Sequence, residues 1–137
     1  MGMSRFRYST PITVRFRDCD PMGHVNNAVY LTYLEETRFA HWRAKWGYGT
    51  EDPAPDIPGV ILARVEIDYR AQAHHGDVLD IRMNVASIGR SSFTYEYEIV
   101  NATGTEVATA RSVMVMFDYA TQKTVPVPDT VRTLLSL

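Results

Sequence analysis

The feature that most constrains this chain is a single long run with helical patterning, followed by segments that alternate with a period of two. The run NAVYLTYLEETRFAHWRAKWG opens beside Asn26 and Asn27, either of which can cap a helix, and ends on Gly47, which can close one. It is long enough for about five turns. Val29, Tyr30, Leu31, Tyr33 and Leu34 make its first half apolar on more than one stripe, as expected of a helix enclosed by other structure. Downstream, Val65, Ile67 and Tyr69 alternate with Arg64, Glu66, Asp68 and Arg70, and Leu79, Ile81, Met83 and Val85 alternate with Asp80, Arg82 and Asn84. Phe93, Tyr95, Tyr97 and Ile99 repeat the pattern against Thr94, Glu96 and Glu98, and Val107 to Phe117 is apolar on most of both faces. Turns are marked by His75-Gly76-Asp77, Gly89-Arg90-Ser91 and Asn101 to Gly104, so four consecutive antiparallel strands are expected here. Another precedes the helix, with Ile12, Val14 and Phe16 on one side and Thr13, Arg15 and Arg17 on the other, stopping at Asp18-Cys19-Asp20-Pro21.

Each of these strands has an apolar face, and the helix is the other large apolar object. The economical packing is an α+β fold, a curved antiparallel sheet wrapped around the helix with its polar faces in solvent. Pro53, Pro55 and Pro58 between Gly47 and Gly59 predict an irregular connection or a flap, and Val125 to Leu137 can end in a short helix. At 137 residues, 45% hydrophobic and 22% charged, the expectation is one domain over 1–137. Lys and Arg number 14 against 16 Asp and Glu, so a formal charge of −2 offers no general field for nucleic acid or an anionic membrane. An anionic ligand would need a local basic cluster. The lone cysteine, Cys19, excludes an internal disulfide framework and a Cys-rich zinc site. MGMSRFRYST lacks the apolar run of a signal peptide, Met1-Gly2 followed by Ser4 is a poor lipidation match, and no stretch approaches the roughly 20 apolar residues of a membrane span. The expected place is the cytoplasm.

The densest chemistry lies in DCDPMGHVNNAVYLTYLEETR. Asp20 falls a few residues before the helix, so its carboxylate can face unpaired N–H groups and the positive dipole end, a setting able to polarise a carbonyl. A strand ending in D-x-D, then P-x-G-H-V-N-N, then Y-x-x-Y-x-E on a helix and a strand meander resembles the hotdog-fold thioesterases of the 4-hydroxybenzoyl-CoA thioesterase type. The likeness runs from about Pro11 to Phe117 and is specific from Asp20 to Glu35. It implies a five-stranded antiparallel sheet around a central helix, a homodimer or homotetramer with active sites at the subunit boundary, and hydrolysis of acyl-CoA thioesters. Carried over residue by residue, it implies that Asp20 is catalytic, as nucleophile or as general base, and that the main-chain N–H of Asn27 polarises the thioester. The turn matching Gly89-Arg90-Ser91-Ser92 contacts the coenzyme A nucleotide in that family, and one arginine with two hydroxyls suits a phosphate, though such turns are also ordinary solvated ones.

Rival readings are weighed on the same residues. Cys19 is flanked by Asp18 and Asp20, whose charge raises a thiol pKa when an attacking thiolate needs it lowered, so a packed thiol facing away from Asp20 is expected. Asp18 is expected exposed or paired with an arginine. His24 can hydrogen-bond the carboxylate, donate to a leaving thiolate, or fix the loop. Tyr30 and Tyr33 read as core aromatics that can also shape the acyl pocket, and Glu35 would pair with Arg38 or take backbone donors if enclosed. His24, His41, His74 and His75 lack metal-site spacing, so no metal and no separate cofactor are expected, coenzyme A being part of the substrate. No G-x-S-x-G supports a serine triad. Two alternatives remain open, an enzyme acting on acyl groups held by a carrier protein and a non-catalytic acyl-thioester binder.

Overall fold

In a computed structural model of the chain, described over residues 6–51 and 58–136, the elements run β1 (Tyr8–Thr13), a single 3-10 turn (Phe16–Asp18), α1 (Val29–Trp46), β2 (Gly59–Tyr69), β3 (Val78–Ile88), β4 (Ser92–Val100), β5 (Glu106–Asp118), β6 (Lys123–Thr124) and α2 (Asp129–Leu135). The expected flap falls mostly on 52–57, outside the described residues.

The sheet order is β1-β3-β4-β5-β2, every pair antiparallel, with the two-residue β6 added beside β5. The expected run of neighbouring strands therefore holds for β3, β4 and β5, whereas β2 crosses to the far edge and pairs with β5, Tyr69 opposite Ala108 and Gly59 opposite Phe117. Register breaks at Leu62/Arg64, Val85/Ser87 and Ile99/Val100 bend the strands. On the concave side Leu79, Ile81 and Met83 of β3, Phe93, Tyr95, Tyr97 and Ile99 of β4, and Met114 and Met116 of β5 are buried. On the convex side Arg82 bridges Asp80 and Glu98, both at 2.9 Å.

Helix α1 buries Tyr30, Tyr33, Leu34, Thr37, Arg38, His41, Trp42 and Trp46, a stripe with the three-to-four-residue spacing of one helical face. The burial expected of the first half on several stripes is not fully reached within one chain, since Leu31 stays exposed, as does Phe39 farther along the helix. Gly47 ends α1 in the left-handed region at φ 67°, which its missing Cβ permits.

Two local readings are corrected. The first strand stops at Thr13 rather than running to Phe16, because the Asp18 carboxylate takes the Arg15 N–H at 3.0 Å and winds the chain into the 3-10 turn, leaving Phe16 80% exposed. Glu35 does not pair with Arg38. It lies on the solvent side, while Arg38 is on the buried stripe and donates to the Tyr97 hydroxyl at 3.2 Å, which meets Ser112 Oγ at 2.6 Å.

Candidate active site

The segment from Asp18 to Ala28 is held by the backbone before any side chain is considered. Asn26 N–H donates to Asp18 O at 2.9 Å, Val25 N–H to Ala73 O at 2.8 Å, and Cys19 and Val25 form an isolated antiparallel bridge. Between them Asp20 N–H donates to His24 O and Gly23 N–H to Asp20 O, both at 3.0 Å, closing a tight turn that needs Gly23 at φ 90°. Pinching the loop in this way brings Asp20 and His24 to the mouth of a cleft of about 270 Å³, which they line with Val25, Asn27 and Tyr30 on one side and Tyr69, Ala71 and Gln72 on the other.

Inside the cleft the Asp20 carboxylate is oriented by its own turn. Met22 N–H donates to Asp20 Oδ1 at 2.9 Å, and Asp20 Oδ2 faces His24 Nδ1 at 3.9 Å, too long for a hydrogen bond. The side chains keep 24% and 29% of their surface in solvent, so Oδ2 is reachable. His24 Nδ1 also lies 3.4 Å from Val25 O. The imidazole is thus a neighbour of the carboxylate rather than its bonded partner.

At the start of α1 the groups around Asn27 are committed one by one. Asn26 O accepts Val29 N–H at 2.9 Å, Asn26 Oδ1 accepts Ala28 N–H at 2.9 Å, and Asn27 O accepts the Tyr69 hydroxyl at 2.7 Å. Neither asparagine is the cap residue of α1, which is Ala28 with no side-chain bond of its own, though the Asn26 side chain serves the Ala28 N–H two residues on. The Asn27 N–H has no acceptor among the described residues, and Asn27 is exposed on the cleft wall. A carboxylate oxygen and a free N–H at a helix start share one cleft, which is the pair of groups that addition to a carbonyl requires.

The other sequence candidates divide. Tyr30 lines the cleft, meets the Tyr69 ring edge-on at 5.4 Å, and is pushed up to about 12 by burial, against the lowering effect of the Ala73 backbone. Tyr33 does not line it. Its hydroxyl donates to Asp18 Oδ2 at 2.8 Å, and it borders a separate cleft with Arg15 and Glu36. Asp18, buried and paired with Arg15 at 3.1 Å, is raised by desolvation, but the Arg15 N–H, the Arg15 guanidinium and the Tyr33 hydroxyl outweigh that and hold it below the usual carboxylate range. Cys19, half-buried against the core with Sγ 3.8 Å from Arg15 O, is not part of the cleft wall.

Arg90, Ser91 and Ser92 lie at the other end of β3, eleven residues along, which at about 3.3 Å per residue is roughly 36 Å of strand from the Asp20 end. Their turn is clamped: Val127 N–H donates to Arg90 O and the Arg132 guanidinium to Gly89 O, both at 2.7 Å. Arg90 itself is exposed. Within one chain this turn and Asp20 do not meet. Sequence reading missed Ala71, Gln72 and above all Tyr69, which it placed on an apolar strand face with nothing to link it to a helix 42 residues earlier. No group of three or more His, Cys, Asp or Glu able to hold a metal occurs among the described residues, and none of the described helices is long and apolar enough to cross a membrane.

An antiparallel sheet curled around one long helix, with a carboxylate at the helix start, defines the hotdog class of thioesterases. The model of the thioesterase-like superfamily matches residues 14–135, and the chain belongs to that family. It is 32% identical to the long-chain acyl-CoA thioesterase FadM of Escherichia coli (strain K12), over 83% of this chain and 86% of that one. It is 29% identical to a 1,4-dihydroxy-2-naphthoyl-CoA hydrolase of Synechococcus elongatus, over 95% and 96%. Among solved structures it resembles a thioesterase of Thermus thermophilus complexed with coenzyme A and Zn, with a TM-score of 0.82 and 30% identity over 97% of this chain and 94% of that one. The protein is a thioesterase enzyme.

Proposed function

We propose that the protein hydrolyses acyl-CoA thioesters at the cleft between Asp20 and Asn27. The observation that carries this reading is the pairing of Asp20 Oδ2, accessible and with no hydrogen bond, with the unaccepted Asn27 N–H on one cleft wall. The thioester carbonyl oxygen takes the Asn27 N–H, and charge that builds on it during addition is held by that donor and by the positive end of α1. Asp20 acts in one of two ways. As a base it removes a proton from water, the hydroxide adds to the carbonyl carbon, the C–S bond breaks, and the proton passes to the departing thiolate. As a nucleophile it adds through Oδ2, expels the thiolate to leave a mixed anhydride, and water then opens the anhydride. Single-turnover hydrolysis in ¹⁸O-water separates the two, because only the second route can leave label in the Asp20 side chain. Relatives named as acyl-CoA hydrolases support the substrate class.

The same reading includes a dimer formed along β2. Both sheet edges are open, but β1 is short and carries Pro11, which has no N–H to offer, while β2 is eleven residues long, free of proline, and has Leu62 46% exposed; Leu31 and Phe39 of α1 are bare as well. The Gly59 end of β2 shares an end of the sheet with Ser92. Two β2 edges paired antiparallel would bring the Arg90 turn of a second copy towards the Asp20 end of the first, which is how Arg90, Ser91 and Ser92 would reach the coenzyme A nucleotide. Free-thiol release over a panel of aromatic, short and long acyl-CoAs tests the reading. Turnover of at least one is expected, and binding without turnover across the panel would overturn it in favour of a carrier or sensor.

A further inference from the structure

We propose that Tyr69 is a positioning residue for this reaction, aiming the Asn27 N–H by holding the next peptide through its hydroxyl. The inference rests on the Asp20–Asn27 reading above. The Asn27 N–H belongs to the Asn26–Asn27 peptide, whose carbonyl accepts Val29 N–H at 2.9 Å. The following peptide is gripped at both poles, its N–H by Asn26 Oδ1 at 2.9 Å and its carbonyl by the Tyr69 hydroxyl at 2.7 Å.

The bonds from Val29 and from the Asn26 side chain lie within the turn and move with it. Leu31 N–H to Ala28 O at 3.2 Å joins the turn from Asn26 to Ala28 to its own helix, and two bonds tie it to other elements among the described residues: Asn26 N–H to Asp18 O upstream and the Tyr69 hydroxyl downstream. Asn27 and Ala28 are exposed, so packing does not fix them. Tyr69, about half-exposed, is held through its backbone and one face of its ring. It ends β2 opposite Ala108, Arg70 N–H donates to Val107 O at 2.8 Å, and its ring packs edge-on against Tyr30 at 5.4 Å. Burial raises its hydroxyl pKa, so it remains a donor at neutral pH.

An oxyanion donor is effective only if it already points at the developing charge, and a donor left to swing must be reoriented during the reaction. The hydroxyl at the end of β2 therefore acts on the transition state without touching the substrate's reacting atoms.

The test compares Tyr69→Phe, which keeps the ring against Tyr30 and deletes only the hydroxyl, with Asp20→Asn and the parent, on the best acyl-CoA of the panel. We expect kcat of Tyr69→Phe to fall about tenfold, less than the roughly 10²-fold or more of losing a donor outright, with KM within about twofold and an unchanged melting midpoint. A second reading uses the carbonyl stretch of acyl-CoA bound to Asp20→Asn. Adding Tyr69→Phe is expected to move it back towards its frequency in water, which a purely structural role would not do. A parental kcat in Tyr69→Phe, a loss confined to KM, or a kcat loss that tracks a fallen midpoint overturns the inference while a crippled Asp20→Asn leaves the thioesterase reading standing. A fully active Asp20→Asn refutes the Asp20 assignment, and the kcat of Tyr69→Phe still decides the role of the hydroxyl. Absence of turnover with every acyl-CoA takes both down.

Discussion

The two ends of α1 place their polar atoms in opposite surroundings, open at one and buried at the other. At its start the Asn27 N–H and Asp20 Oδ2 lie on an open cleft without hydrogen-bond partners, where water can solvate them until a ligand arrives. Towards its end the polar atoms are sealed beneath rings. Trp42 Nε1 donates to the Tyr95 hydroxyl at 2.9 Å, His41 Nδ1 meets the same hydroxyl at 3.2 Å, and the Trp42 and Trp46 rings stack at 5.5 Å. An uncommitted group costs little in solvent and much in a core, and the buried end carries that cost at His41 Nε2 and Trp46 Nε1, which have no partner among the described residues. The helix start can therefore be spent on chemistry, while the helix end must serve stability, and changes at the two ends should separate in what they damage.

The largest expected effect lies at the buried end. Trp46→Ala should destabilise the fold by about 3–5 kcal/mol, since it removes a fully enclosed indole stacked on Trp42 and edge-on to Phe93. Denaturant melts should show that loss while kcat per folded molecule stays near parental. A similar loss of kcat in the folded fraction would break the separation of the two ends. Tyr95→Phe sharpens it by removing a single oxygen. It strands Trp42 Nε1 and His41 Nδ1 in the core and should cost about 2 kcal/mol of stability, again without a kcat effect.

How these elements follow from sequence is uneven. The helix, its Gly47 stop, the alternation of β3 and β4 and the apolar run of β5 were legible because period and turn chemistry are local. The position of β2 beside β5 was not, since it depends on pairing between residues such as Glu66 and Arg111, far apart in the chain. At the candidate site, the place of Asp20 just before a helix was legible locally, whereas Asn27 entered through the family resemblance. Tyr33 was legible as a core aromatic, but the claim of Asp18 on its hydroxyl, away from the cleft, was not, and Tyr69 escaped notice because only the folded sheet brings it to Asn27. Phe16 looked like a strand residue until Asp18 captured the Arg15 N–H, a side-chain competition that alternation does not record.

Acid exposes the same contrast. Burial, with a smaller push from Lys45, lowers the His41 pKa to about 4, so the native state resists a proton that the unfolded chain accepts at its ordinary value. Its contribution is intact above the ordinary imidazole pKa and is lost as pH falls from there to about 4. The steepest loss should approach about 1.4 kcal/mol per pH unit. Asp18, whose folded pKa is depressed, adds its own loss only below the usual carboxylate range. Melts of His41→Gln between those limits should be flatter than the parent's, and parallel curves would count against the buried imidazole as the cause.

The smallest effect is expected far from both ends. Arg90→Ala should raise KM for acyl-CoA by somewhat less than tenfold, about 1 kcal/mol, with kcat intact and the difference shrinking in salt, because an exposed arginine–phosphate contact binds ground and transition states alike. An acyl-pantetheine lacking the nucleotide should be hydrolysed equally by variant and parent. Light scattering at micromolar concentration should give a mass at least twice that of the 15.5 kDa chain, as a coenzyme A site completed by a second copy requires.

Turnover by Asp20→Asn at saturating acyl-CoA, beside Cys19→Ser and the parent, tests the central claim most directly. The isosteric amide keeps the loop's shape and leaves the melting midpoint near parental, but it can neither take a proton from water nor attack the thioester. The expected result is a fall in kcat on the order of 10²-fold or more, with Cys19→Ser close to the parent. An Asp20→Asn enzyme working at the parental rate, or an inactive Cys19→Ser with a normal midpoint, would contradict the assignment of the chemistry to the carboxylate at the start of α1.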